Sequence, residues 1–175
     1  VRNMKKAAEI LVDRYDGEMA PSYEDILSLP GIGSYTAGAI SSIAFGIKRP
    51  AVDGNVLRVC SRITENFADV LENRTKKELQ ERLAAIYPAG AQAHLFNQSL
   101  MELGATICVP NGTPKCMLCP MQQWCLAYAN DTWAQLPRKK LRKKRRVEEK
   151  TIFILRCKEY MALEKRPSDG LLAAL

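Results

Sequence analysis

The sequence predicts a mostly α-helical domain followed by a short β segment. Apolar side chains recur at helical spacing near the N-terminus, where Ala7, Ile10, Leu11 and Tyr15 fall on one stripe. Residues that favour helix starts precede several further stretches of this kind. After Trp133 the pattern changes, and a β-branched, apolar stretch follows at residues 151–155. We therefore expect a helical domain at residues 1–134, a basic linker at 135–150 and β structure at 151–175.

The helices are expected in the order in which their capping residues occur. The first spans residues 3–15, and the last long one spans residues 91–105. Between them, four polar residues are placed to accept hydrogen bonds from the first free N–H groups of a helix. These caps and their helices are Ser22 for 23–29, Ser34 for 35–45, Asp53 for 54–64 and Thr75 for 76–87.

Length and composition bound the possible functions. The chain has 175 residues, 47% of them hydrophobic, which suffices for one globular domain with an appendage. No run of about 18 apolar residues occurs, which argues against a membrane-spanning helix. The first residues lack the apolar stretch of a secretory signal and an initiator methionine. We therefore expect a cytoplasmic protein and a piece of a longer chain.

The formal net charge of +7 comes from one segment. Eight of the nine residues from Arg138 to Arg146 are Lys or Arg. Without these eight, 18 basic residues (26 less 8) face 19 acidic ones, so the rest of the chain is not basic. Such a run is either a solvated linker or a contact for anions such as DNA phosphates, and the sequence leaves both open.

The C-terminal stretch predicts a β-hairpin. Residues 151–155 and 160–163 are apolar, and Lys158 and Glu159 form a polar turn between them. Two strands do not make a stable domain by themselves. We expect them to begin a domain that the chain does not complete.

A glycine-rich turn joins the second and third predicted helices. Residues 29–40 read LPGIGSYTAGAI, and small residues recur at Ala37, Gly38 and Ser41. Glycine permits a tight turn and lets a partner approach the backbone closely. The turn ends at a helix N-terminus, whose free N–H groups attract an anion such as a DNA phosphate. A plain αα-turn would use the same glycines, but the flanking helices and the small residues favour a DNA-holding helix-hairpin-helix.

Asp53 follows the hairpin by about 20 residues, within the sequence VDGNV. An aspartate before a helix is usually an N-cap and nothing more. Helix N–H donors also stabilise the charged carboxylate. A charged carboxylate beside DNA could offset the positive charge that develops on a sugar during glycosidic cleavage. Both interpretations stay open at this point.

Four of the six cysteines lie within 18 residues. They are Cys108, Cys116, Cys119 and Cys125. Clustered thiolates in a chain without an export signal favour a metal centre over disulfides. Only one CxxC pair is present, whereas zinc ribbons use two, so we favour a 4Fe–4S cluster over zinc or free thiols. The other two, Cys60 and Cys157, are expected to be buried small apolar residues.

The order of the three motifs, first the hairpin, then the aspartate and then the cysteine loop, resembles that of the helix-hairpin-helix DNA glycosylases with a C-terminal cluster loop. This resemblance covers essentially the whole chain. Endonuclease III, which removes oxidised pyrimidines and cuts the strand, has a lysine within a GxGRKTA stretch. Here residues 31–37 read GIGSYTA, with Tyr35 at the lysine position. Endonuclease III also shows VDTH where this chain has VDGNV. These residues, and FNQSLMELGA at 96–105, resemble MutY, the adenine glycosylase.

The resemblance implies a base-excision repair enzyme that hydrolytically removes adenine mispaired with 8-oxoguanine or guanine. It implies a monomer on duplex DNA in the bacterial nucleoid, with a 4Fe–4S cluster on the four clustered cysteines. Asp53 would stabilise the oxocarbenium-like sugar, Tyr35 would orient the site and Asn55 would lie close to it. Arg58 could connect this helix to the cluster, but an exposed helical arginine is the commoner case and is expected here. The hairpin residues that would bind DNA are Leu29, Gly31, Ile32, Gly33 and Ser34.

Three features depart from the family pattern. The first cysteine spacing is seven residues, where the family usually has six, and Gly112 is expected to absorb the extra residue. The family's catalytic glutamate, which protonates the adenine, would lie upstream of Val1, so we expect this stretch to be inactive by itself. The family's 8-oxoguanine-recognising, Nudix-like domain would begin at Thr151, turn at residues 166–171 and lack most of its sheet.

Two rival functions remain. The first is a bifunctional glycosylase/lyase, against which Tyr35 argues because tyrosine cannot form a Schiff base. The second is a non-catalytic DNA-binding hairpin module, against which Asp53 and the cysteine loop argue.

Overall fold

The structure is a computed structural model that describes residues 1–20, 22–140, 147, 149 and 151–165. It divides into two compact units, Val1–Leu141 and Arg142–Leu175. The first unit is helical, as predicted. Its α-helices are α1 Arg2–Tyr15, α2 Tyr23–Ser28, α3 Ser34–Phe45, α4 Gly54–Ile63, α5 Asn73–Ile86, α6 Ala91–Thr106 and α7 Leu126–Ala129. Short 3₁₀ helices lie at Cys116–Leu118, Gln122–Trp124 and Trp133–Gln135.

The first three helices pack around a small apolar cluster. Its buried members are Ala20, Ile26 and Ala37. Leu11 and Tyr15 of α1 pack against them, which confirms the predicted apolar stripe. Removing these side chains from water fixes the two helices that flank the hairpin turn. No helix in the part of the chain that the structure describes is long and apolar enough to cross a membrane.

Two of the four predicted caps are confirmed and two are wrong. Ser22 and Asp53 each accept a hydrogen bond from the backbone N–H three residues further on. Ser34 is already the first residue of α3, because the extended backbone ends at Gly33, which has no side chain to cap with. Thr75 lies inside α5, which begins two residues earlier. Its side chain is buried, so packing rather than capping fixes its position.

Helix α4 lies against α5, α6 and α7 in the first unit. Val56 and Cys60 of α4 and Leu83 of α5 form a buried cluster, and Phe96 and Leu100 of α6 pack against it. Burial raises the pKa of the Cys60 thiol to about 11. The prediction that Cys60 is a buried apolar residue is therefore confirmed.

Two glycines let helices approach neighbouring backbone closely. A Cβ on Gly38 of α3 would lie 2.6 Å from a carbonyl oxygen in the loop before α4. Gly38 is buried together with Ala37 and Ser41, which confirms the predicted run of small residues. A Cβ on Gly104 of α6 would lie 2.6 Å from the Cβ of Asn55 in α4. Larger side chains at either glycine would displace the start of α4.

The second unit contains an antiparallel hairpin of β1 Arg156–Cys157 and β2 Tyr160–Met161. The two strands flank the predicted turn at Lys158 and Glu159. The prediction that residues 151–155 form the first strand is wrong, since the strand begins at Arg156. Every described residue of this unit is exposed, including Cys157, which was predicted to be buried. A favourable strand sequence does not hold a strand without packing against a partner surface.

Some sequence predictions fall outside the described residues. They concern residues 141–146 of the basic run and the turn expected at 166–171. The assignment of the β segment to a Nudix-like domain stays a prediction.

Candidate active site and metal centre

The hairpin turn lies between α2 and α3. Gly31 has a φ of +83°, in the left-handed region that favours glycine, and the Ile32 N–H donates to the Leu29 carbonyl at 3.1 Å. The Leu29 side chain is buried, whereas Gly31, Gly33 and Ser34 are exposed. Among the described residues no side chain caps α3, so its first N–H groups are open to an anion. Of the predicted DNA-binding residues, Leu29 therefore has no exposed side chain with which to contact DNA.

A pocket of about 690 Å³ opens beside the hairpin. Tyr35 in the first turn of α3 and Asp53 at the start of α4 both line it, together with Arg58. Tyr35 is 44% exposed, so its ring remains accessible from the pocket. The structure thus brings two of the three predicted catalytic residues to one cavity. The third, Asn55, is not among the residues that line it.

Asp53 caps α4 and faces the pocket at the same time. Its Oδ1 accepts a hydrogen bond from the Val56 N–H at 2.8 Å. Its Oδ2 accepts one from the Asn55 side-chain amide at 2.9 Å. The two interpretations that the sequence left open are therefore compatible, because the cap is itself part of the pocket wall. Asn55 stands behind Asp53 and holds the carboxylate in one orientation.

Arg58 is buried, so the prediction of an exposed arginine is wrong. Its guanidinium donates to the Asn55 Oδ1 at 2.8 Å and to the Gly104 carbonyl at 2.7 Å. Its Nε donates to the Cys108 carbonyl at 2.7 Å. Burial lowers the pKa of Arg58, with the nearby Cys108 acting in the opposite direction. Hydrogen bonds therefore run from Asp53 through Asn55 and Arg58 to the first clustered cysteine.

Arg62 is a site residue that the sequence interpretation missed. It is 5% exposed and donates to the carbonyl oxygens of Val109, Trp133 and Leu136 at 3.1, 3.1 and 3.0 Å. Its Nη1 lies 3.2 Å from the sulfur of Cys108. One signal was available: Arg62 follows Arg58 by one helical turn, on a helix that also carries Val56, Val59 and Cys60. Two arginines on one buried face indicate that partners come from elsewhere in the chain.

The four cysteines predicted to bind a metal line one cavity of about 30 Å³. Val59 of α4 and Leu103 of α6 contribute apolar walls to the same cavity. Burial, and to a lesser degree the neighbouring thiols, raises the pKa of Cys116. Across the described ranges, no three His, Cys, Asp or Glu side chains stand close enough together to share a single metal ion.

Seven residues separate Cys108 from Cys116, and a glycine allows the loop that they form to turn back. Gly112 has a φ of +76°, a conformation that favours glycine. The Lys115 N–H then donates to the Ile107 carbonyl at 3.0 Å and brings the two ends of the loop together. The longer spacing therefore still returns Cys116 to the cavity that Cys108 lines.

Sequence comparison finds relatives over most of the chain. A family model described as a helix-hairpin-helix motif matches residues 14–43. The adenine DNA glycosylase of Buchnera aphidicola subsp. Baizongia pistaciae is 37% identical, over 97% of this chain and 48% of that protein. The adenine DNA glycosylase of Mus musculus is 41% identical, over 77% of this chain and 26% of that protein. The chain thus spans about half the length of the first relative and about a quarter of the second.

Solved structures show the same architecture. A thermostable thymine-DNA glycosylase matches with a TM-score of 0.64 and 34% identity, over 74% of this chain and 58% of that one. Endonuclease III trapped as a covalent intermediate with DNA matches with a TM-score of 0.60 and 28% identity, over the same shares of the two chains. The first unit therefore has the fold of the helix-hairpin-helix class of DNA glycosylases. By sequence, the chain groups with the MutY-type adenine DNA glycosylases of that class.

Proposed function

We propose that this chain forms part of a monomeric DNA glycosylase, which removes adenine mispaired with 8-oxoguanine or guanine by hydrolysis. The observation that carries the proposal is the Asp53 carboxylate, which is fixed by two hydrogen bonds in the wall of a pocket beside the hairpin. The adenine DNA glycosylase relatives supply the choice of base.

Duplex DNA is held by its phosphates in this proposal. The exposed backbone at Gly31, Gly33 and Ser34 and the open N–H groups of α3 suit a phosphate oxygen. The adenine then leaves the base stack and enters the pocket that Tyr35 lines. Extrusion of a base costs a few kcal/mol, and less at a mispair, which favours damaged sites over intact DNA.

Cleavage of the glycosidic bond leaves positive charge on the sugar. Asp53 is the only carboxylate residue in the described part of the chain that lines the pocket, and its negative charge offsets that of the sugar. Tyr35 stands in the same pocket and orients the nucleotide. The base also needs a proton donor, and the family resemblance assigns that role to a glutamate upstream of Val1. Water then completes the hydrolysis.

The excision assay separates this function from its two rivals. A protein that spans the full length of the curated relatives is incubated with a duplex carrying one adenine opposite 8-oxoguanine. We expect free adenine to be released while the strand stays intact until alkali is added, because Tyr35 cannot form a Schiff base. A covalent complex trapped by borohydride would indicate a lyase. Binding without release of adenine would indicate a non-catalytic module.

We also propose that Cys108, Cys116, Cys119 and Cys125 hold a 4Fe–4S cluster. Their shared cavity supports a common ligand. We favour this cluster over zinc because only Cys116 and Cys119 form a CxxC pair, whereas zinc ribbons usually supply two such pairs. When bound, the cluster would crosslink the segment from Cys108 to Cys125 and would supply no chemistry to the base.

The metal content tests this assignment directly. Protein purified without oxygen should be brown, absorb broadly near 400 nm, roughly as thiolate-bound iron–sulfur centres do, and contain iron and acid-labile sulfide in equal amounts. A Cys119→Ser variant should lose most of the iron, whereas Cys60→Ser, at a cysteine outside the cavity, should retain it. Stoichiometric zinc without labile sulfide would contradict the proposal.

A further inference from the structure

The beginning of the basic run is attached to the folded domain. The Val70 N–H donates to the Arg138 carbonyl at 3.1 Å. The Lys140 N–H donates to an Asp69 carboxylate oxygen at 3.3 Å, and the Lys140 ammonium forms an ion pair with Glu72. These contacts hold residues 138–140 beside the loop that precedes α5. This part of the run is therefore not a free, solvated linker.

The attachment brings Lys139 to the same pocket as Asp53. Lys76 of α5 lines this pocket as well. Neither lysine side chain has an ion-pair partner among the described residues, whereas the neighbouring Lys77 and Lys140 are each paired with a glutamate. Lys139 is exposed and Lys76 is half-buried. Two positive charges without ion-pair partners among the described residues thus lie on one wall of the pocket. The hairpin does not contribute to this wall.

We propose that Lys76 and Lys139 form a second phosphate-binding contact at this pocket, in addition to that of the hairpin N-terminus. This inference rests on the proposed DNA glycosylase function. Ser34 and Tyr35 line the pocket from α3, and the two lysines line it from α5 and the segment after α7. The strand that carries the extruded nucleotide is then held by its phosphates at two walls of the pocket. An ammonium group suits this role because it binds phosphate as a point charge.

Salt dependence of binding measures such contacts. Each phosphate that a lysine neutralises releases condensed counterions and contributes about −0.9 to the slope of log K against log salt. Losing both lysines should therefore reduce the steepness of the slope by about 1.8. We expect the loss of affinity to be on the order of 10-fold at low salt and to shrink as salt is added.

The experiment compares two double variants of the 175-residue chain on one probe. The probe is a fluorescent duplex with a single tetrahydrofuran abasic analogue, titrated at several salt concentrations. Lys76→Gln/Lys139→Gln removes the proposed contact. Lys77→Gln/Arg138→Gln removes the same charge from the adjacent residues, which do not line the pocket. We expect a flatter slope for the first double variant and a slope close to wild type for the second. Lys76→Arg/Lys139→Arg should restore the slope.

Other outcomes overturn the inference in distinguishable ways. If the two double variants flatten the salt slope equally, the lysines act only through the overall positive charge of the protein and not through contacts at the pocket. A wild-type slope in Lys76→Gln/Lys139→Gln would mean that these lysines contact no phosphate. Wild-type chain that does not bind the duplex would instead contradict the proposed function. Unchanged circular dichroism spectra and melting curves establish that the variants are folded.

Discussion

The Asp53→Asn variant is expected to lose single-turnover adenine release by on the order of 10²-fold or more. The substitution keeps the size of the side chain and one oxygen that can accept from the Val56 N–H. It removes the negative charge that would offset the developing positive charge on the sugar. The measurement uses a protein of the full length of the curated relatives, an adenine:8-oxoguanine duplex and enzyme in excess.

The thermal stability of the Asp53→Asn variant distinguishes the capping role of Asp53 from the role of its negative charge. Asparagine caps helices about as well as aspartate, so the variant should unfold near the wild-type temperature. DNA binding should also stay near wild type, since the hairpin is untouched. Asp25→Asn is the matched control, because Asp25 belongs to the capping interactions of α2 and does not line the pocket. If Asp53→Asn excised adenine as fast as this control, Asp53 would be an N-cap alone and the mechanism would be wrong.

The Arg62→Met variant is expected to destabilise the first unit by about 3–5 kcal/mol. Methionine fills a similar volume but donates no hydrogen bond, so the carbonyls of Val109, Trp133 and Leu136 lose their buried donor. Buried carbonyls without a donor are costly because they have also lost water. Thermal unfolding of the chain should show a midpoint lower by about 10 °C or more.

The same substitution at an exposed arginine serves as the control. Arg82 of α5 is exposed, so Arg82→Met should change stability by less than about 0.5 kcal/mol. An Arg62→Lys variant keeps the charge but offers fewer fixed donors, and its midpoint should lie between those of wild type and Arg62→Met. Equal midpoints for the Arg62→Met and Arg82→Met variants would show that the buried hydrogen bonds contribute no net stability.

Local patterns in the sequence predicted most of the helical unit. The stripe on α1, the cap at Ser22 and the start of α4 at Asp53 all involve residues within four positions of one another. Helix periodicity and capping depend on such short separations along the chain, so they can be predicted from the sequence alone. The predicted caps at Ser34 and Thr75 failed because backbone conformation and burial at those positions depend on neighbours in space.

The candidate site shows the same difference between features set by nearby residues and features set by distant ones. The sequence by itself determined the residues to which we assign chemistry in the proposed function: the hairpin glycines, Asp53 and the four clustered cysteines. Only the tertiary structure decided that Arg58 bonds to Cys108, 50 residues away, and that Lys140 bonds to Asp69, 71 residues away. A buried arginine and an exposed one look alike in sequence, because burial is decided by carbonyl groups that distant segments bring to it. The long-range partners of Arg58 and Arg62, and the pocket that Tyr35, Asp53 and Lys139 share, therefore emerged only when those segments were packed together.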